Sequence, residues 1–289
     1  MNKMKIRLMR SGLLLILATS FLGCNGNRGS EAVAQAVNTE KNSFYDPQAV
    51  SVRKQETKAK VVTMYELPAP LTDRPEQILH RRGYTTSYNS KSKNPNWVAW
   101  HLTKSHTYGH HQRKNEVFSE DSDVKAPRAT NNDYYNSRYD RGHMCPAGDN
   151  KWDAEAMAQS FLFTNICPQN HGLNKYEWND LEIQCREWAQ EYGAIDIVCG
   201  PIYGTSGEQK TVGRNRVWVP QAFFKVILCR QGSPKAIGFV YRNEGVKQSR
   251  AEAIRSVDEI ESLTGIDFFP ALDDKTETKI EAEAKLAAW

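Results

Sequence analysis

No apolar run in this chain is long enough to cross a bilayer comfortably. The longest, residues 11–22, falls short of the roughly 20 residues that a spanning helix needs. There is no internal repeat, and the strand-like and helix-like segments follow no regular βαβ rhythm, which argues against a doubly wound sheet. Basic charge is also missing where it would count. The formal net charge is +4, but Lys3, Lys5, Arg7 and Arg10 supply all of it, because residues 1–23 contain no acid. The remainder is near neutral, so composition alone gives no reason to expect a nucleic-acid binder, and any such surface must come from local clustering. Arg81-Arg82, Lys91 with Lys93, and Arg113-Lys114 are the candidate clusters. Cysteine is sparse, with six residues in 289.

The basic stretch before residue 10 and the short apolar run after it read as a secretory signal over 1–23. It closes on Phe21-Leu22-Gly23-Cys24, which resembles a bacterial lipobox. The expectation is an exported lipoprotein carrying its lipid on Cys24, anchored in the bacterial envelope and facing the periplasm or the outside. Five cysteines then remain: Cys145, Cys167, Cys185, Cys199 and Cys229. An exported protein can keep disulfides; Cys145 and Cys167, each directly before a proline, are candidates for a bridge.

Residues 24–75 are polar and read as a tether with an irregular lead-in. From Tyr84 onward, short β-prone runs alternate with turns. Residues 153–163 predict a helix behind an Asp153 cap. The clearest periodicity is Trp178, Leu181, Cys185, Trp188 and Tyr192, an amphipathic helix stopped by Gly193. Residues 194–199, 223–229 and 237–241 suit buried strands, 249–263 suits a late helix, and 273–289 reads as a loosely held charged tail. The fold class expected is α+β, with a catalytic domain over 76–272.

Three blocks carry chemistry. The first is Asp140-Arg141-Gly142-His143: an imidazole can accept a proton near neutral pH, Gly142 permits close backbone approach, and Arg141 offers donors to a phosphate. The second is Asn165-Ile166-Cys167-Pro168-Gln169. The third begins at Asn174 and runs to Glu182 and Arg186, eight and twelve residues later. Glu182 and Arg186, four apart, share a helix face; read alone they would be an ordinary surface ion pair, worth little. A zinc site from His143, Cys145, Cys167 and His171 uses suitable residue types but matches no common finger spacing. The histidines at 101, 106, 110 and 111 read as an exposed loop between strands.

In order and spacing these blocks resemble the DNA/RNA non-specific endonuclease family, and the resemblance continues through Val198-Cys199-Gly200-Pro201, Val217-Trp218-Val219-Pro220 and Thr264-Gly265-Ile266-Asp267. The resemblance implies a ββα-metal fold with a central, mostly antiparallel sheet flanked by helices. It implies hydrolysis of DNA or RNA to 5′-phosphate ends, with His143 as general base and Asn174 as the direct protein ligand of Mg²⁺, or of Mn²⁺ or another divalent cation. Glu182 would hold metal-bound water, and Arg186 would stabilise charge on the phosphate. Asn165 would support the site or its substrate, with Arg113 and Arg141 contacting substrate. The alternative expectation is a catalytically inactive lipoprotein that captures nucleic acid at the cell surface.

Overall fold

A computed structural model describes residues 63–204 and 208–289. The expected leader, the Cys24 lipidation site and residues 24–62 of the expected tether lie outside the described residues. In chain order the first strands are β1 (Gln77–His80), β2 (Thr85–Asn89), β3 (Asn94–Thr103), β4 (Asp140–His143) and β5 (Ile166–Gln169). They are followed by β6 (Ala194–Ile202), β7 (Thr211–Val212), β8 (Val217–Trp218), β9 (Ala222–Cys229), β10 (Lys235–Arg242) and β11 (Ile254–Arg255). The helices are α1 (Asn131–Tyr134), α2 (Ala154–Gln159), α3 (His171–Lys175), α4 (Glu177–Tyr192), α5 (Arg250–Ala253), α6 (Val257–Thr264) and α7 (Asp274–Glu281).

One sheet of seven strands organises the fold, in the order β1-β2-β3-β6-β9-β10-β11. Every neighbouring pair in it is antiparallel. Its central strands are buried on both faces, which is why β6 and β9 read as nearly continuous apolar runs rather than as alternating ones. Successive side chains still go to opposite cores. Trp100, Phe223, Ile227 and Phe239 pack with Trp178, Leu181, Cys185 and Trp188 of α4 on one face. Trp97, Phe224, Val226 and Leu228 pack with Ile260 of α6 and with Phe268 and Phe269 on the other. At roughly 1.5–3 kcal/mol for each large apolar side chain buried, these contacts hold α4 in place far more strongly than helix propensity would. The fold is α+β, as expected.

Several local expectations are corrected. The 153–163 helix stops at Gln159, and Phe163–Asn165 forms a separate 3-10 turn. The late helix is interrupted: α5 ends at Ala253, β11 joins the sheet edge, and Ser256 opens α6 with a capping box to Glu259. A second serine cap restarts the helix where a continuous one was expected. The C-terminal segment is not loose. It forms α7 with Ile280 buried, and Trp289 lies against Trp188 with ring centroids 4.8 Å apart. The described part of the lead-in is likewise packed, with Tyr65, Leu67 and Leu71 against the sheet.

No disulfide joins Cys145 to Cys167: all five described cysteines are buried free thiols, and the Cys145 sulfur accepts from Asn150 Nδ2 at 3.3 Å. The zinc set is not assembled either, since the one cluster of His, Cys, Asp and Glu side chains with metal-ligand spacing among the described residues is Asp258, Glu261 and Glu281. His101 is a strand residue paired with Asp196, and His106 stacks on Trp152, so the four histidines are not one loop cluster.

Candidate active site

Strands β4 and β5 pair antiparallel, with His143 opposite Ile166 and Gly142 opposite Cys167. Only glycine fits at 142, because a Cβ there would collide with the Gln169 side chain. Beyond β4 the backbone is clamped: Asn165 Oδ1 accepts from Cys145 N at 2.9 Å, while its Nδ2 donates to the carbonyls of Cys145 (2.9 Å) and Ser160 (2.8 Å). Trp178 Nε1 donates to the His143 carbonyl at 3.2 Å. The imidazole is therefore positioned from both its strand and the α4 helix. It is 8% exposed, packs against both Phe118 and Phe161, and its Nε2 has no hydrogen-bond partner. Burial, with a smaller push from the charge of Arg113, lowers its pKa to about 3. The ring is neutral at physiological pH.

After β5, Asn170 caps α3 through its side chain, and the helical path breaks at Tyr176 before α4 begins. This places Asn174 beside Asp140, whose Oδ2 accepts from Asn174 Nδ2 and from His171 Nδ1, both at 2.9 Å. With its nitrogen committed to Asp140, the Asn174 amide keeps its oxygen available to a cation. Asp140 thus orients two side chains.

Helix α4 brings in Glu182 and Arg186, but they are not paired with each other. Arg186 Nη1 bonds Asp149 Oδ1 at 2.9 Å, and Asp149 Oδ2 accepts from Trp100 Nε1 at 3.1 Å. This is an anchored pair, with the Asp149 side chain 1% exposed, unlike the weak surface pair that spacing alone suggested. Glu182 faces the same cleft. Burial raises its pKa to about 7, against the pull of Lys225 and Arg186.

His143, Asn174, Glu182, Arg186, Arg113 and Arg141 all line one cleft of about 480 Å³. Asn165 is not among its lining residues and spends its amide on the backbone behind His143. Arg141 also holds Asn131 Oδ1 at 2.8 Å. Five cations, Arg113, Arg141, Lys151, Lys175 and Arg186, line the cleft against two carboxylates, Asp140 and Glu182. Of the basic clusters expected from sequence, only Arg113 contributes: Arg81 is tied to Asp121 and Asp123, and Lys91 lies over Trp218.

The DNA/RNA non-specific endonuclease family is matched over residues 63–275, a span that contains every residue of this cleft. The chain belongs to that family. Among its relatives, the mitochondrial nuclease EXOG of Xenopus laevis is 37% identical over 72% of this chain and 62% of its own length. Nuclease C1 of Cunninghamella echinulata is 34% identical over 69% of this chain and 85% of its own. The chain spans less than two thirds of each EXOG nuclease it matches in frog, human, mouse and zebrafish. The crystal structure of the EndoG/EndoGI complex superposes with a TM-score of 0.68 at 26% identity, covering 73% of this chain and 91% of that one.

For a member of this family, two site residues were missed in the sequence. Asp149 anchors Arg186 across 37 positions, a pairing that no local spacing announces. Lys225 is fully buried, with its ammonium 4.4 Å from the Trp178 ring centroid and 5.3 Å from that of Trp100. Burial opposes its charge, but Cys199, Cys185, Glu182 and Asp149 around it outweigh that and hold its pKa above the ordinary lysine value. Its signal was available, as the lone charge in the apolar β9 run.

Proposed function

We propose that this protein is a divalent-metal-dependent, sequence-nonspecific endonuclease that hydrolyses phosphodiester bonds of DNA or RNA and leaves 5′-phosphate ends. The observation that carries this is one cleft in which an unpartnered, neutral His143 Nε2 shares walls with Asn174, Glu182 and Arg186. The donor set fits magnesium, a small hard ion that keeps most of its waters and needs few protein ligands. Asn174 would hold it directly through its amide oxygen, and Glu182 through water. When bound, such an ion neutralises charge on the phosphate and assists departure of the 3′ oxygen.

The chain's own residues do the rest. His143 accepts a proton from the attacking water at Nε2. A phosphodiester entering the cleft brings negative charge beside the imidazole and raises its proton affinity from the low value that burial imposes. Arg186, fixed by Asp149, donates to the phosphate oxygens as charge gathers there. Arg113 and Arg141 grip the backbone of the substrate, contacts that carry no sequence information and so suit nonspecific cleavage. Asn165 positions His143.

His143→Ala should reduce plasmid nicking by at least about 10²-fold with an unchanged circular-dichroism spectrum, and EDTA should abolish the wild-type activity until Mg²⁺ is restored. Tight DNA binding without cleavage in every divalent metal would refute the enzymatic reading. The protein is proposed to be exported and lipid-anchored through Cys24. Palmitate labelling that persists in Cys24→Ala would refute the anchor.

A further inference from the structure

On the face of the sheet opposite α4, a second group of side chains has metal-ligand spacing. Asp258 and Glu261 come from α6 and Glu281 from the last residue of α7. One carboxylate oxygen of each lies within 4.8 Å of the others. Glu281 is 4% exposed, and its Oε1 has no hydrogen-bond partner. None of the ion pairs among the described residues includes any of the three. Glu277 and Asp267 add further negative charge at Glu281. Burying a carboxylate without a compensating charge is among the costliest arrangements a fold can carry.

We propose that Asp258, Glu261 and Glu281 form a structural divalent-cation site, selective for calcium over magnesium, that fastens α7 to α6. Three carboxylates offer two oxygens each, and Glu261 is already oriented, because its Oε1 accepts from Phe268 N at 2.8 Å. Calcium takes carboxylates singly or in pairs at about 2.3–2.6 Å and tolerates irregular geometry, whereas magnesium demands a near-ideal octahedron at about 2.0–2.1 Å. Three carboxylates drawn from two helices supply an all-protein oxygen set of the kind calcium takes, whereas magnesium usually keeps several of its waters and binds one or two carboxylates. The site differs from the cleft, where Asn174 and, through water, Glu182 are the groups assigned to a cation, and it does not depend on the cleft being catalytic.

The test is thermal unfolding of the chelator-stripped protein with calcium, with magnesium, and with neither. Calcium at ~100 times its Kd should raise Tm by about 5–10 °C, and magnesium at the same concentration by much less. Glu281→Gln and Asp258→Asn should remove the calcium response. Both variants should fold, since each deletes a repulsive charge and their chelated Tm should equal or exceed that of the wild type. Asn174→Ala, which removes the cleft's metal-binding amide, should keep the full response. Failure of calcium to move the wild-type Tm would overturn the site, as would a response surviving intact in Glu281→Gln. A magnesium response equal to that of calcium would overturn the ion assignment.

Discussion

An ammonium with no exposed surface and no hydrogen-bond partner, as at Lys225, needs compensation from its surroundings. Two indole faces and the Glu182 and Asp149 carboxylates supply it. Lys225→Met keeps the length of the side chain and removes the charge, so Tm should fall, because buried carboxylates lose a partner, while the circular-dichroism spectrum below the transition should stay that of the wild type. Glu182 and Asp149 would then lose their shared counter-charge, and kcat should fall about 10–100-fold, the usual range for residues that support the groups in contact with metal or substrate. Unchanged kcat in this variant would reduce Lys225 to a packing residue.

His101 gives a separate pH signature. Its hydrogen bond to Asp196 at 2.6 Å raises its pKa, so folding takes up a proton there. The resulting stability is complete below about pH 6.5, the ordinary imidazole value, and is lost as pH rises through the higher folded value. In His101→Gln the decline of Tm on that alkaline side should flatten relative to wild type. Charge at such positions differs in legibility: Lys225 could be read from the strand around it, while Asp149 acquires its role only when the chain brings it to Arg186.

At the level of elements, the short connection between α3 and α4 does much of the placing. The break at Tyr176 lets Asn174 face Asp140 while Glu182 and Arg186 look into the same cleft from the next helix. Gly148 adds a constraint, since a Cβ there would stand 2.8 Å from Arg186 Nη1. Gly148→Ala should displace the guanidinium from Asp149 and lower kcat by about 10–100-fold, because small misplacements at a reacting centre are costly, with Tm nearly unchanged. A large fall in Tm with full specific activity would show that the glycine serves packing instead.

The same contrast explains which helices could be read from sequence. In α4 the apolar stripe coincides with the buried face, and Gly193 ends it. Over 249–263 the apolar positions are compatible with one helix, but Ser249 and Ser256 each start their own, and the strand between them is settled by pairing with β10. Propensity does not encode that edge pairing.

Across the whole molecule, the central strands were legible because strands buried on both faces leave apolar runs, whereas their division of the interior into two cores emerges only from the packing of the helices. Near-neutral charge over residues 24–289 concealed the positive cleft, since its basic residues come from points as separate as Arg113 and Arg186 and meet only in three dimensions. The packed C-terminus was hidden for a similar reason. Apart from the buried Glu281, its charged residues describe the outer side of α7, while Ile280 and Trp289 find their partners on distant strands and on α4.

The five buried thiols carry a consequence of their own. Because none of Cys145, Cys167, Cys185, Cys199 and Cys229 is cross-linked, maturation of the described fold waits on no oxidant and on no disulfide isomerase. Dithiothreitol should leave Tm unmoved, and a reductant-sensitive Tm would contradict this. The same polypeptide can therefore reach its native state on either side of a redox boundary, and its exposure to oxidative damage depends on how often the core opens.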